Sequence, residues 1–128
     1  MEFFRVINVN TLEEVIQKTF EMTNLAAMST QLFLLEVKND EKAKIGSFWG
    51  EFTLCRTVIK GGLRFALSEC PNALTWTITT GYDPAPGSVI LHLTINRTQK
   101  EDEFMEELNE FIDDQVQKIK ESFAVIQD

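Results

Sequence analysis

The sequence predicts a two-layer α+β domain. An antiparallel meander of five or six strands is covered on one face by an N-terminal helix and a long C-terminal helix, in the order β-α-β-β-β-β-β-α. Three observations lead there. Apolar residues between about 31 and 96 recur with a period of two and are separated by short turn sequences, as consecutive antiparallel strands require. The two flanking segments instead carry apolar residues at helical spacing, so each has one stripe to bury. Finally, seven of the eight net negative charges lie between residues 100 and 128, where ten acids meet three lysines, so the charge marks one helix rather than the whole surface.

Phe3 to Val9 can alternate as a first strand. Thr11-Leu12-Glu13-Glu14 fits a capping box, in which the Thr11 hydroxyl accepts from the Glu14 amide and the Glu14 carboxylate reaches back. Leu12, Val15, Ile16, Thr19, Phe20 and Thr23 continue that helix's stripe to about Ala27. Leu32 to Val37 is a nearly continuous apolar run, expected of a strand buried on both faces. Asn39-Asp40-Glu41-Lys42 reads as a turn, and Phe48 to Ile59 as one long strand. Lys60-Gly61-Gly62 supplies a hairpin turn, because glycine tolerates positive φ, and Leu63 to Glu69 returns. Leu74 to Gly81 and Ser88 to Asn96 are the remaining strands, separated by the Asp83-Pro84-Ala85-Pro86-Gly87 loop. Thr98-Gln99-Lys100-Glu101 is a second capping box. It opens a final helix whose stripe is Phe104, Leu108, Phe111, Ile112, Val116, Ile119, Phe123 and Ile126. Residues 1–128 form a single domain, with no internal repeat and no linker.

Alternation divides the strands into two faces. Phe52, Leu54, Val58, Leu63, Phe65, Leu67, Leu74, Trp76, Ile78, Val89, Leu91, Leu93 and Ile95 form an apolar set, broken only by Arg56, that should meet the helices. The other set is small, polar and rich in threonine: Thr53, Cys55, Thr57, Arg64, Ala66, Ser68, Thr75, Thr77, Thr79, Ile90, His92, Thr94 and Asn96. It reads three ways: a solvated surface, a self-complementary sheet-on-sheet interface, or a ligand-binding concavity closed by loops. With Gly61-Gly62 as the turn, Val58 lies opposite Phe65 and Cys55 opposite Ser68.

Composition excludes more than it identifies. Ten Phe and two Trp supply a real core, and no apolar run approaches the roughly 20 residues of a membrane-spanning helix. The N-terminus lacks a basic region followed by an apolar block, so the expected location is cytoplasmic. Cations are scattered and the C-terminal helix is anionic, which argues against nucleic acid and acidic membranes. Cys55 and Cys70 have no metal-ligand spacing and are expected as free thiols.

No catalytic set, metal cluster or cofactor motif is visible. His92 is the sole histidine, so any mechanism that uses one must use it. Cys70 ends a strand beside Pro71, a place where a thiol can be accessible. Glu103, Glu107, Glu110 and Asp114 stack on one helix face, as a solvated surface or as a docking face for a basic partner. Tyr82 and the prolines after it could form a rigid rim. The architecture resembles helix-grip ligand-binding folds and acidic secretion chaperones in its layers alone, which licenses no function.

The sequence therefore reads as a non-enzymatic interaction module, a homodimer that associates through Thr53, Thr57, Thr75, Thr77, Thr79 and Thr94. One alternative is a small-molecule-binding protein or enzyme with a pocket among Arg64, His92, Trp76, Tyr82 and Cys70. The other is an acidic chaperone- or immunity-like protein that neutralises a basic partner.

Overall fold

In the computed structural model, which describes residues 1–81, 87–96 and 102–127 with side chains through Phe123, the period-two segments pair into one antiparallel sheet. Its strands are β1 (Glu2–Ile7), β2 (Leu32–Val37), β3 (Lys42–Ser47), β4 (Gly50–Ile59), β5 (Gly62–Ser68), β6 (Thr75–Thr80) and β7 (Val89–Thr94). From β2 to β7 the chain runs as a meander, and β1 returns to pair with β7, giving the order β1-β7-β6-β5-β4-β3-β2. Helix α1 (Glu13–Thr19), a 3₁₀ helix (Met22–Ala27) and helix α2 (Asp102–Gln127) complete the chain.

The sheet has seven strands among the described residues, rather than five or six, because β3 is a strand that composition hides. Its Lys-Ala-Lys-Ile-Gly-Ser sequence is poor in strand formers and offers only Ala43 and Ile45 to the core, both fully buried. The expected long strand from Phe48 instead begins at Gly50, after a tight Ser47-to-Gly50 turn in which Ser47 Oγ donates to the Gly50 carbonyl at 2.8 Å. Gly50 sits at φ 120°, a conformation that only glycine adopts without strain.

The N-terminal helix is also shorter than its stripe suggests. It stops at Thr19 and resumes as 3₁₀ from Met22 to Ala27. Two local hydrogen bonds compete with its continuation: the Thr19 hydroxyl donates to the Val15 carbonyl, and the Asn24 amide donates to the Thr19 carbonyl, both at 2.7 Å. The Thr11 capping box does not form. The N-cap is Leu12, the Thr11 hydroxyl is buried without a partner, and Glu13 accepts from the Gly61 amide at 2.8 Å. The second capping box, at Thr98 to Glu101, lies outside the described residues, as does the side chain of Ile126.

The largest departure is β2. Expected to be buried on both faces, it is the outermost strand and pairs only with β3. Leu32 is buried, but Phe33, Leu34, Leu35 and Val37 are exposed, and a bulge lies between Leu34 and Glu36. A continuous apolar run states that a strand lacks polar residues, not that neighbours cover it.

At the β4–β5 hairpin the turn is Lys60-Gly61, so Val58 pairs with Leu63 and Cys55 with Ala66. That register differs by two residues from the expected one, which leaves every side chain on its predicted face. Gly62 enters the strand because a Cβ there would come within 2.0 Å of the Ile78 carbonyl oxygen. Val58 leaves the apolar set and is exposed, since β3 ends opposite Cys55 and α1 packs over β5 and β6 instead.

The rest of the apolar set is the core. Leu54, Leu63, Phe65, Trp76, Ile78 and Leu93 are fully buried, with Phe111 and Phe123 of α2 packed into the same cluster. The Trp76 ring stacks on Phe65 at 5.5 Å and meets the Phe111 edge at 5.5 Å, and Phe20 meets Phe123 edge to face at 5.7 Å. Burial of each such side chain contributes about 1.5–3 kcal/mol. Arg56, the one charge in this set, donates from Nε to the Phe20 carbonyl and from Nη2 to the Gln17 carbonyl, so it closes the last turn of α1.

Candidate functional site: the open face of the sheet

Strand register assembles the opposite face into rows that run across the sheet. Thr57, Arg64, Thr77, His92 and Phe4 form one row, each directly opposite the next. Cys55, Ala66, Thr75, Thr94 and Glu2 form the adjacent one, and Ile59, Gly62, Thr79, Ile90 and Val6 the row beyond. Threonine suits this position: its branched Cβ favours the extended backbone, while a small side chain leaves the pleat shallow. Among the described residues, no helix covers these rows.

Arg64, Thr75, Thr77, His92 and Thr94 surround a shallow depression of about 200 Å³. The His92 ring is held from two sides. It stacks on Phe4, with ring centroids 4.1 Å apart and planes 4° from parallel, and its Nε2 lies 3.1 Å from a Glu2 carboxylate oxygen. Cys55 Sγ is engaged with Ser68 Oγ at 3.3 Å, so among the described residues no thiol–imidazole pair forms.

The expected pocket residues therefore separate. Arg64 and His92 share the depression. Trp76 reaches it only through its backbone, because alternation sends the ring to the helix side, where it is fully buried against Phe65 and Phe111. Cys70 lies on neither side of this row. With Trp49, Phe52, Pro71, Asn72, Leu74 and Phe104 it lines a separate, largely apolar cavity of about 160 Å³ at the start of α2. The turn that holds Cys70 carries two non-glycine residues in left-handed conformation, Glu69 at φ 70° and Ala73 at φ 50°. Tyr82 lies outside the described residues. Of the threonines, Thr57 is exposed and Thr53, Thr75, Thr77, Thr79 and Thr94 are half-buried.

Two features escaped sequence reasoning. Phe4 and Val6 are large, exposed apolar side chains on this face, at 54% and 56% exposure. Their alternation with Phe3, Arg5 and Ile7 was legible, but not the pairing of β1 with β7 that aligns them with His92 and Ile90. Gln115 of α2 is fully buried, and neither its amide nitrogen nor its oxygen has a partner. Its spacing of four from both Phe111 and Ile119 places it in the middle of the apolar stripe, which was the available signal.

The acidic helix face is partly committed. Glu107 accepts from the Trp49 indole at 2.8 Å, and Asp114 accepts from Ser29 Oγ at 2.7 Å and from the amide and hydroxyl of Thr30. Two of the four stacked acids thus fasten α2 to neighbouring turns. Among the described residues, no cluster of three or more His, Cys, Asp or Glu is arranged to hold a metal ion, and no helix is long and apolar enough to cross a membrane.

No protein-family model and no curated protein matches the sequence. Solved structures with a similar fold include the protein XoxI from Bacillus cereus, at 11% identity and a TM-score of 0.63, covering 100% of this chain and 97% of that one. An uncharacterised protein from Bacillus thuringiensis is similar at 12% identity and a TM-score of 0.61, covering 97% and 98%. At these identities the likeness establishes a shared α+β fold and nothing further.

Proposed function

We propose that this chain is a non-enzymatic interaction module that associates with a second copy of itself through the open face of the sheet. The observation that carries the reading is the exposure of Phe4 and Val6 at the margin of an unlidded face whose small Thr, Ala and Ser side chains lie among Arg64, His92 and a balanced set of charges. Exposed aromatic and branched side chains on one surface mark interaction sites, and small neighbours allow close sheet-on-sheet approach.

Charge and size support a second copy as the occupant. By register the face carries Glu2, Glu36 and Glu51 against Lys42, Lys44 and Arg64, so it is close to neutral. The excess acid lies on the helix beyond the opposite layer, where it points away from such an interface and opposes other modes of association. Seven strands spaced about 4.8 Å apart and roughly 20 Å long present on the order of 600 Å² in projection. Standard interfaces bury about 800 Å² of accessible surface on each partner, a comparable scale.

Light scattering coupled to size exclusion tests the proposal. The expected mass at micromolar concentration is twice 14.7 kDa, falling to the single-chain value in Phe4→Lys. A single-chain mass for the unmodified protein at that concentration contradicts it. The acidic-helix reading, a basic protein partner on Asp102, Glu103, Glu106 and Glu110, has weaker support because Glu107 and Asp114 are already engaged.

A further inference from the structure

We propose that the cavity at the start of α2 is a binding site for a small uncharged aromatic molecule, one benzene-sized ring. The site is distinct from the open face and does not depend on the self-association reading.

Size and lining select the ligand. The cavity measures about 160 Å³ and its wall is largely apolar. Trp49 comes from the turn before β4, Phe52 from β4, Leu74 from the residue before β6, and Phe104 from the first turn of α2. Cys70 and Pro71, which follow β5, close the wall. Protein interiors are packed as densely as organic crystals, so an apolar space of this size forfeits contacts around its whole lining. Water does not restore them, because an ordered water needs several polar partners. Apolar cavities of about 150 Å³ instead take up one benzene-sized ring. Three lining side chains are aromatic, and the Trp49 and Phe104 planes are inclined at 46° with centroids 5.8 Å apart. They form a corner rather than a stack, where a further ring can make edge-to-face or offset contacts.

Polar groups of the wall are already engaged. The Trp49 indole donates to Glu107 at 2.8 Å and the Trp49 amide to Ser47 Oγ at 3.2 Å. In the turn opposite in sequence, the Cys70 carbonyl accepts from the Ala73 amide at 3.0 Å, and the Asn72 carbonyl accepts from the Asn96 amide at 2.9 Å. A charge carried into the cavity would lose its hydration there without recovering it, which selects an uncharged ligand. The same bonds hold Trp49 and the Cys70 turn in place, so the space is preformed rather than opened by its occupant. Leu74 is buried, whereas Trp49, Phe52, Cys70 and Phe104 are half-buried and Pro71 is exposed. The cavity therefore reaches the surface, and a ring can enter without unfolding the chain.

Two residues of the wall, Trp49 and Cys70, report occupancy independently. Benzene and tetramethylammonium, a compact cation that aromatic walls also attract, are titrated separately into the ¹⁵N-labelled protein. The expected result is that benzene shifts the Trp49 indole N–H saturably, and more than that of Trp76, which does not line the cavity, while tetramethylammonium does not bind. Bound benzene is also expected to slow alkylation of Cys70 by iodoacetamide, while Cys55 on the open face reacts at an unchanged rate. Cys70→Met extends a flexible side chain into the space and is expected to weaken benzene binding about tenfold. Absence of saturable benzene binding at millimolar concentration, Cys70 reactivity unchanged by bound benzene, or tetramethylammonium binding as tight as that of benzene would overturn the proposal. So would undiminished benzene affinity in a folded Cys70→Met. The alkylation measurement uses the unmodified protein, so the test stays decisive should that variant fail to fold.

Discussion

The two faces of the sheet are built from the same strands, yet they solve opposite problems. Toward the helices, Leu54, Leu63, Phe65, Trp76, Ile78 and Leu93 are fully buried, and the helices are bound down by specific contacts. Asp114 receives Ser29 and Thr30, Glu107 receives the Trp49 indole, Arg56 closes α1, and Ser122 donates to the Ala27 carbonyl at 2.8 Å. On the opposite face, His92 has a carboxylate and a stacked ring, and Thr75 lies directly opposite Thr94 across β6 and β7. Most of the burial that holds the fold together therefore lies on the helix side, while the other face is left without a covering layer among the described residues.

The largest expected effects come from substituting the same residue type on each of the two faces. Phe65→Ala, in the fully buried position, is expected to cost about 3–5 kcal/mol in chemical denaturation. Phe4→Ala, at 54% exposure, is expected to cost about 1 kcal/mol or less, mostly the lost stacking on His92. Comparable losses at the two positions would mean that the open face is structural after all.

The fastenings rank next. Asp114→Ala leaves the buried Ser29 hydroxyl and the Thr30 amide without their acceptor, and is expected to lower stability by roughly 2 kcal/mol. Arg56→Met keeps the packing but removes both bonds to the end of α1, with an expected cost of about 1–2 kcal/mol. Hydrogen exchange should then quicken in α1 before it does in the sheet.

The smallest effect belongs to the solvated side of α2. Hydrogen bonds from Gln117 and Lys118, together with the charge of Lys118, hold the Glu121 carboxyl below the usual carboxylate range. A lowered folded-state value contributes stability above the unfolded carboxyl's range and loses it as pH falls through the folded one. Because Glu121 is fully solvated, Glu121→Gln is expected to lower Tm only slightly at neutral pH, with the two melting curves converging in acid.

Much of this architecture was legible from side-chain periodicity. The threonine and leucine alternation of β5 to β7 assigned both faces, and the two-residue register difference at Lys60-Gly61 left them intact. What escaped had physical causes. β3 contributes only Ala43 and Ile45 to the core, too short a pattern to recognise. The apolar run of β2 looks the same in a sheet's centre as at its edge, because pairing partners are not written in a strand's own residues. Trp76 was grouped with Arg64 and His92 although its own alternation sends the ring to the other side. Gln115 was passed over because one amide among eight apolar residues barely alters a helix's pattern.

The most direct test follows threonine methyl groups by NMR in the presence of a soluble gadolinium chelate, over a range of protein concentrations. In the single-chain Phe4→Lys variant the methyls of Thr75, Thr77, Thr79 and Thr94 should relax strongly while those of Leu63 and Leu91 do not. In the unmodified protein at concentrations where it is a dimer, the threonine methyls should become protected. Weak threonine relaxation in the single-chain variant, or strong relaxation in the unmodified protein at every concentration, would contradict the account.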